Sequence, residues 1–170
     1  MLSKELTSLL NGQINYEWYS AYIYLDIANF YAEKNLNGFA NWFTIQTQEE
    51  RDHALLFNQY LVNNGATVTL QDVKAPDFKY ADFRAPAATA FEHEQKVTAR
   101  INSIYATAYE QKDFRTMQFL DWFVKEQGEE EKNTDDIVKR YDLFAGDAKG
   151  LYMLDAELAA RVYTAPSLVL

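Results

Sequence analysis

The sequence predicts an all-α protein: an up-down four-helix bundle with one long crossover between its second and third helices, followed by a short fifth helix. Three observations carry that prediction. Apolar residues recur every three to four positions along most of the chain. Helix-stopping residues fall in few places. The stretch that lacks a helical stripe, residues 66–84, lies mid-chain and is long enough to run the length of a bundle.

The elements follow in order. Ser3 can cap a first helix over about 3–34, stopped by the Asn-Leu-Asn-Gly of residues 35–38. A second spans about 38–64 and ends at Gly65. Residues 66–84 then change character, with Thr67, Val68 and Thr69, Pro76 and scattered aromatics. Pro86 suits the first turn of a third helix, about 86–111, and Asp113 can cap a fourth over about 114–145, with Gly146 as its stop. A fifth runs over about 148–162, before Pro166.

Helices of about 30 residues are roughly 45 Å long and pack side by side. Short turns after the first and third helices make antiparallel pairs, while the long link allows the second and third to run parallel. No repeat or linker divides the chain, so residues 1–170 are expected to form one domain. The fifth helix carries Leu151, Leu154, Leu158 and Val162 on one stripe. Coming after four complete rods, it is expected to pack against symmetry mates.

Composition narrows the function. A hydrophobic share of 48%, with 15% aromatic residues, is that of a folding chain. A net charge of -9 argues against nucleic acid or an anionic membrane as partner and suits metal cations. The chain has no cysteine, which removes disulfides, thiolate zinc sites and iron–sulfur clusters. The first residues lack a continuous apolar signal region, and no apolar run reaches about 18 residues, so a cytoplasmic location is expected.

The inner stripes of the four long helices hold the chemistry. The first reads Leu10, Ile14, Glu17, Ala21, Tyr24, Ala28; the second Phe39, Phe43, Gln46, Glu50, His53, Phe57, Tyr60. The third reads Phe91, Glu94, Thr98, Ile101, Tyr105; the fourth Leu120, Phe123, Gln127, Glu130, Thr134, Ile137. Each is interrupted near its middle by a carboxylate. One such glutamate alone is ordinarily solvated or ion-paired. Four at matching depth, with neither Lys nor Arg on those stripes, need cations, because an isolated buried carboxylate costs several kcal/mol. Glu17, Glu50, Glu94 and Glu130 supply four negative charges, which balance two divalent ions with His53 neutral.

Glu50 and His53, at i and i+3, leave one helix face together and can reach one metal, an arrangement known from di-metal carboxylate bundles. The corresponding element of the fourth helix is Gln127-x-x-Glu130, without a second histidine. The two metal positions are therefore unequal. His93 neighbours Glu94 but points about 100° away and is left out of the site.

These residues resemble the ferroxidase centre of the bacterial non-haem ferritins, with Tyr24 beside them. The resemblance extends over nearly the whole chain, through "NGQINYEWYSAYIYL", "EERDHALLF", "FEHEQKVT" and "FVKEQGEEE". It implies a ferritin-like fold, a hollow shell of 24 identical subunits, and uptake of Fe(II) that is oxidised by O2 or H2O2 and stored as a ferric oxyhydroxide mineral. Glu17, Glu50, His53, Glu94, Gln127 and Glu130 would hold the di-iron centre, with Tyr24 hydrogen-bonding nearby. Glu49, Glu126 and Glu129, with Glu130, resemble a third iron site; the competing reading is a solvated acidic face. Trp122 is read as a core aromatic. Haem-containing bacterioferritins are similar in layout, but their methionine haem ligand falls where this chain has Asp52, so haem is not expected. The other functional readings are a rubrerythrin-like di-iron peroxidase, whose cysteine-ligated electron-transfer site this chain cannot build, and a metal-free helical interaction protein, which leaves the buried acids unexplained.

Overall fold

The computed structural model describes residues 2–170. Among them the helices are α1 (Lys4–Glu33), α2 (Asn37–Asn63), α3 (Ala85–Glu110), α4 (Phe114–Phe144) and α5 (Ala148–Leu158). Where capping chemistry was legible it operates: Ser3 Oγ accepts from Leu6 N at 3.1 Å and Asp113 from Thr116 N at 3.1 Å; the structure adds a third cap, Asp147, which accepts from Gly150 N at 2.8 Å. Pro86 sits in the first turn of α3, whose leading amides of Arg84 and Ala85 donate to Asp82 Oδ1. Asn35 and Gly65, with φ of 59° and 67°, supply the left-handed residues that end α1 and α2.

Residues 66–84 form the crossover, and α1 is their track. Asn11 donates to Thr67 O at 3.0 Å and accepts from Thr69 N at 2.6 Å. Further along, Asn15 donates to Asp72 O, the Tyr80 hydroxyl donates to Asp26, and the Tyr31 hydroxyl donates to Phe83 O at 2.7 Å. The partners advance together on both segments, so the crossover runs parallel to α1. It delivers α3 to the end where α2 began, and α2 and α3 run parallel, as the loop length allowed. Among the described residues, no helix is long and apolar enough to cross a membrane.

α5 differs from expectation. It stops at Leu158 instead of continuing to 162, and it docks on its own bundle: Leu154 and Leu158 are buried in the cluster that holds Tyr31, Phe39 and Phe43. Val162, placed on the same stripe by the sequence, lies beyond the helix and is exposed. The physical reason is a cap. Leu36, at the head of α2, makes no side-chain cap bond; Asp155 Oδ1 instead accepts from Gly38 N at 2.8 Å and Phe39 N at 3.0 Å. Gly38 is needed for that approach, because a Cβ there would lie 1.6 Å from the Asp155 carbonyl oxygen.

The core has two apolar blocks. One gathers Ile23, Ile27, Tyr31, Phe39 and Phe43 at the α5 end, and the other Leu6, Leu10, Phe57, Leu61, Leu120 and Phe123 at the opposite end. Between them lies a belt of buried polar side chains.

Candidate metal centre

The belt is built by one turn from each long helix. Glu17 (α1), Glu50 and His53 (α2), Glu94 (α3) and Glu130 (α4) are at most 3% exposed. Among the described residues, neither Lys nor Arg lies within ion-pair distance of these four acids; the close charge partner is His53 Nδ1, 3.6 Å from Glu50 Oε2. Neutral donors fill the gap. Gln13 donates to Glu17 Oε1 at 2.8 Å, and Gln46 donates to Glu50 Oε1 at 3.1 Å and to Glu130 Oε2 at 2.8 Å. Gln127 donates to Glu94 Oε2 at 3.0 Å, and the buried Tyr24 hydroxyl donates to Glu94 Oε1.

Gln13 is a site residue that the sequence reading missed, and Gln46 was placed on the inner stripe without a role. The signal was present: Gln13 precedes Glu17 by four residues, and Gln46 precedes Glu50 by four. Helical neighbours at that spacing hydrogen-bond to each other.

Desolvation dominates the electrostatics. Burial, then the neighbouring Glu50, pushes the Glu17 carboxyl up to about 8. Burial, then Glu50, does the same for Glu94, and burial, then Glu94, for Glu130, each to about 8. Burial and Glu130 raise Glu50 well above the carboxylate range. Near neutral pH these acids therefore tend to hold protons. Glu17 Oε2, deeply buried, meets no ordinary donor, and a proton there has the Glu50 carboxylate to bind. Tyr24 is kept neutral first by burial and then by Glu94, so it stays a donor.

Two groups offer ligand atoms within 4.8 Å of one another: Glu17, Glu50 and His53, and, one step outward, His53, Glu126 and Glu130. His53 belongs to both. Glu94 and Gln127 are instead bound to each other across α3 and α4, with Gln127 also 3.3 Å from Thr98 Oγ1. The predicted third site is assembled in part. Glu126 is half-buried, Glu129 is at the surface 3.5 Å from Lys125, and Glu49 is engaged by Arg161 at 2.6 Å. His93 is a satisfied core histidine, as its direction implied. Its Nε2 lies 2.7 Å from Ser20 Oγ, it stacks on Tyr16, and burial lowers it to about 4. Trp122 packs edge-on to His53 and donates through Nε1 to Ser167 Oγ at 3.0 Å. Asp52 is taken up by Arg51 at 2.8 Å and by the Tyr163 hydroxyl.

Oxygen donors with one imidazole, closely grouped and short of positive charge, form a donor set for hard to borderline cations. A family model described as the ferritin-like domain matches residues 7–144. The chain belongs to the ferritin family. Among its relatives, the bacterial non-heme ferritin of Staphylococcus aureus is 33% identical over 163 residues, covering 96% of this chain and 98% of that one. The probable bacterial non-heme ferritin-like protein of Haemophilus influenzae is 32% identical over 158 residues, covering 93% and 96%. Among solved structures, an engineered closed form of the Archaeoglobus fulgidus ferritin superposes with a TM-score of 0.94 at 40% identity, covering 96% of this chain and 100% of that one. The open-pore ferritin of the same archaeon gives 0.93 at 39%, covering 95% and 100%. The all-α bundle of this ferritin, with its long crossover and short fifth helix, is thus the family fold.

Proposed function

We propose that this ferritin takes up Fe(II), oxidises it to Fe(III) at the buried belt and keeps the product as a ferric oxyhydroxide mineral inside a shell of 24 copies. The observation that supports the reading is the pair of ligand groups sharing His53, set among four buried acids that lack a cationic side chain among the described residues. Glu17, Glu50 and His53 receive the first Fe(II). Glu130 and Glu94 receive the second once Gln46 and Gln127 release them.

Protons close the cycle. Each acid that binds a cation gives up a proton held at neutral pH by its raised pKa. Two Fe(II) then give two electrons to O2, which takes two protons and leaves as H2O2; with H2O2 as oxidant, two further protons and electrons give two waters. Tyr24 orients Glu94 through its hydroxyl and keeps that carboxylate turned toward the belt.

The test is anaerobic Fe(II) titration of metal-free protein by calorimetry, followed by stopped-flow absorbance on mixing with O2. Two Fe(II) per chain and ferric absorbance developing far faster than in buffer are expected. Iron oxidising no faster than in buffer would sink the proposal.

A further inference from the structure

The chain beyond α5 returns across the α2 and α4 face that covers the belt. Asn41 Nδ2 donates to Arg161 O at 3.1 Å, the Tyr163 hydroxyl donates to Asp52, and Ser167 receives Trp122 Nε1. Leu168 packs on the core beside them. Arg161 is the anchor of this strap. Its guanidinium lies 4.0 Å over the Trp42 ring and donates to Trp42 O at 3.1 Å, to Gln46 Oε1 at 2.9 Å and to Glu49 Oε2 at 2.6 Å. Arg161 and Glu49 side chains are each 18% exposed, so solvent screens their pair little.

Two consequences follow from this geometry. Gln46 is held by its oxygen, which turns its Nε2 inward onto Glu50 and Glu130. Glu49 is held outward and belongs to neither close ligand group, although it is one residue from Glu50 and one turn from His53. Once the inner pair claims Glu130, the outer group keeps a single carboxylate of its own, Glu126, and Glu49 decides whether a further cation is held.

We propose that Arg161 is a positioning residue that governs the outer carboxylate group: a third divalent cation binds beside His53, Glu126 and Glu130 only by taking Glu49 from the guanidinium. The proposal rests on the reading of the inner centre given above. Filling the outer group frees Arg161, takes its charge off the Trp42 ring and loosens the strap from the α2 and α4 face. Cation content at the belt is thereby linked to the seating of the C-terminal segment.

Zn2+, which does not change oxidation state, tests this on the assembled metal-free protein by calorimetry, with tryptophan emission followed in parallel. Wild type is expected to take a tight pair and a weaker third ion, the third accompanied by an emission change that Trp42→Phe diminishes, the remainder coming from Trp122 on Ser167 of the strap. Arg161→Gln should tighten the third ion about tenfold, the scale of a partly buried charge pair. Arg161→Lys, which keeps the charge and loses the fork, should fall between. Glu49→Gln should lose the third ion, and Arg161→Gln should then have no further effect on it. A purely structural tether predicts the reverse: weaker binding of all three ions in Arg161→Gln. That result, or a third ion indifferent to residue 161, overturns the proposal. A wild type without a tight pair overturns the inner centre, and this inference with it.

Discussion

Each buried glutamate has a neutral donor within one helical turn or across one helix pair, and this fixes how the belt answers to pH. The carboxyls of Glu17, Glu94 and Glu130 rise from 4.5 to about 8 on folding, so the native metal-free chain binds more protons than the unfolded one between those values. Their contribution is fully present below about 4.5 and is lost as pH climbs through about 8. Metal-free protein should therefore melt at a lower temperature at pH 9 than at pH 6, and saturating Zn2+ should close the gap by replacing protons with cations. Scanning calorimetry at both pH values checks this; a higher midpoint at pH 9 without metal would contradict it. His53 and Glu130 separate the two ligand groups. His53→Ala removes a ligand from both and should slow Fe(II) oxidation roughly tenfold or more, since even an outer partner of a ligand is worth about 10–100-fold in affinity. Glu130→Ala should leave the first Fe(II) bound by Glu17, Glu50 and His53 while impairing paired oxidation. Equal losses of first-ion affinity in the two variants would refute the inequality. The acids and His53 were legible because helical periodicity puts them on apolar stripes. Arg161 was not, because the sequence put it at the end of a fifth helix turned toward other subunits, whereas it lies past Leu158 in a segment that folds back onto α2.

At the scale of elements, the α2 and α5 contact shows a cap supplied from far along the chain. Capping by Ser3 and Asp113 could be read from sequence because donor and acceptor are three residues apart. Asp155 lies more than a hundred residues from the amides it accepts, so only the fold discloses it. The same distance explains why α5 was expected to face other subunits: its apolar stripe is plain, but its partner is not. Asp155→Ala should cost about 1 kcal/mol, the usual worth of a helix cap. Gly38→Ala should cost more, because its Cβ meets backbone at 1.6 Å and α5 has to lift away. Thermal melts of the two variants, with Fe(II) oxidation as a control for the belt, give the ranking; Gly38→Ala at wild-type stability would show that α5 is not docked this way.

At the scale of the whole molecule, the chain leaves large apolar side chains in water that the bundle does not use. Tyr22 and Leu25 on α1, and Leu143, Phe144, Tyr152 and Met153 around the α4 and α5 junction, are each more than 45% exposed. Such surface fits contacts between copies better than solvent. Light scattering at micromolar concentration and neutral pH should give the mass of about 24 chains, the number expected for this family's shells. A monomer or dimer would end the shell proposal while leaving the belt chemistry standing.

The two apolar blocks have a kinetic consequence. They fix both ends of the bundle, so a cation travelling to atoms that are at most 3% exposed has to pass through the belt's own side chains. The movable ones are Gln46 and Gln127, which hinge on hydrogen bonds worth about 1 kcal/mol each. With the order of filling proposed above, the delay between the first ion and the second is therefore set by unhooking amides, an activated step that scales with temperature, and diffusion to the surface adds little to it. Solvent viscosity should leave that delay nearly unchanged, whereas shortening either amide should shorten it.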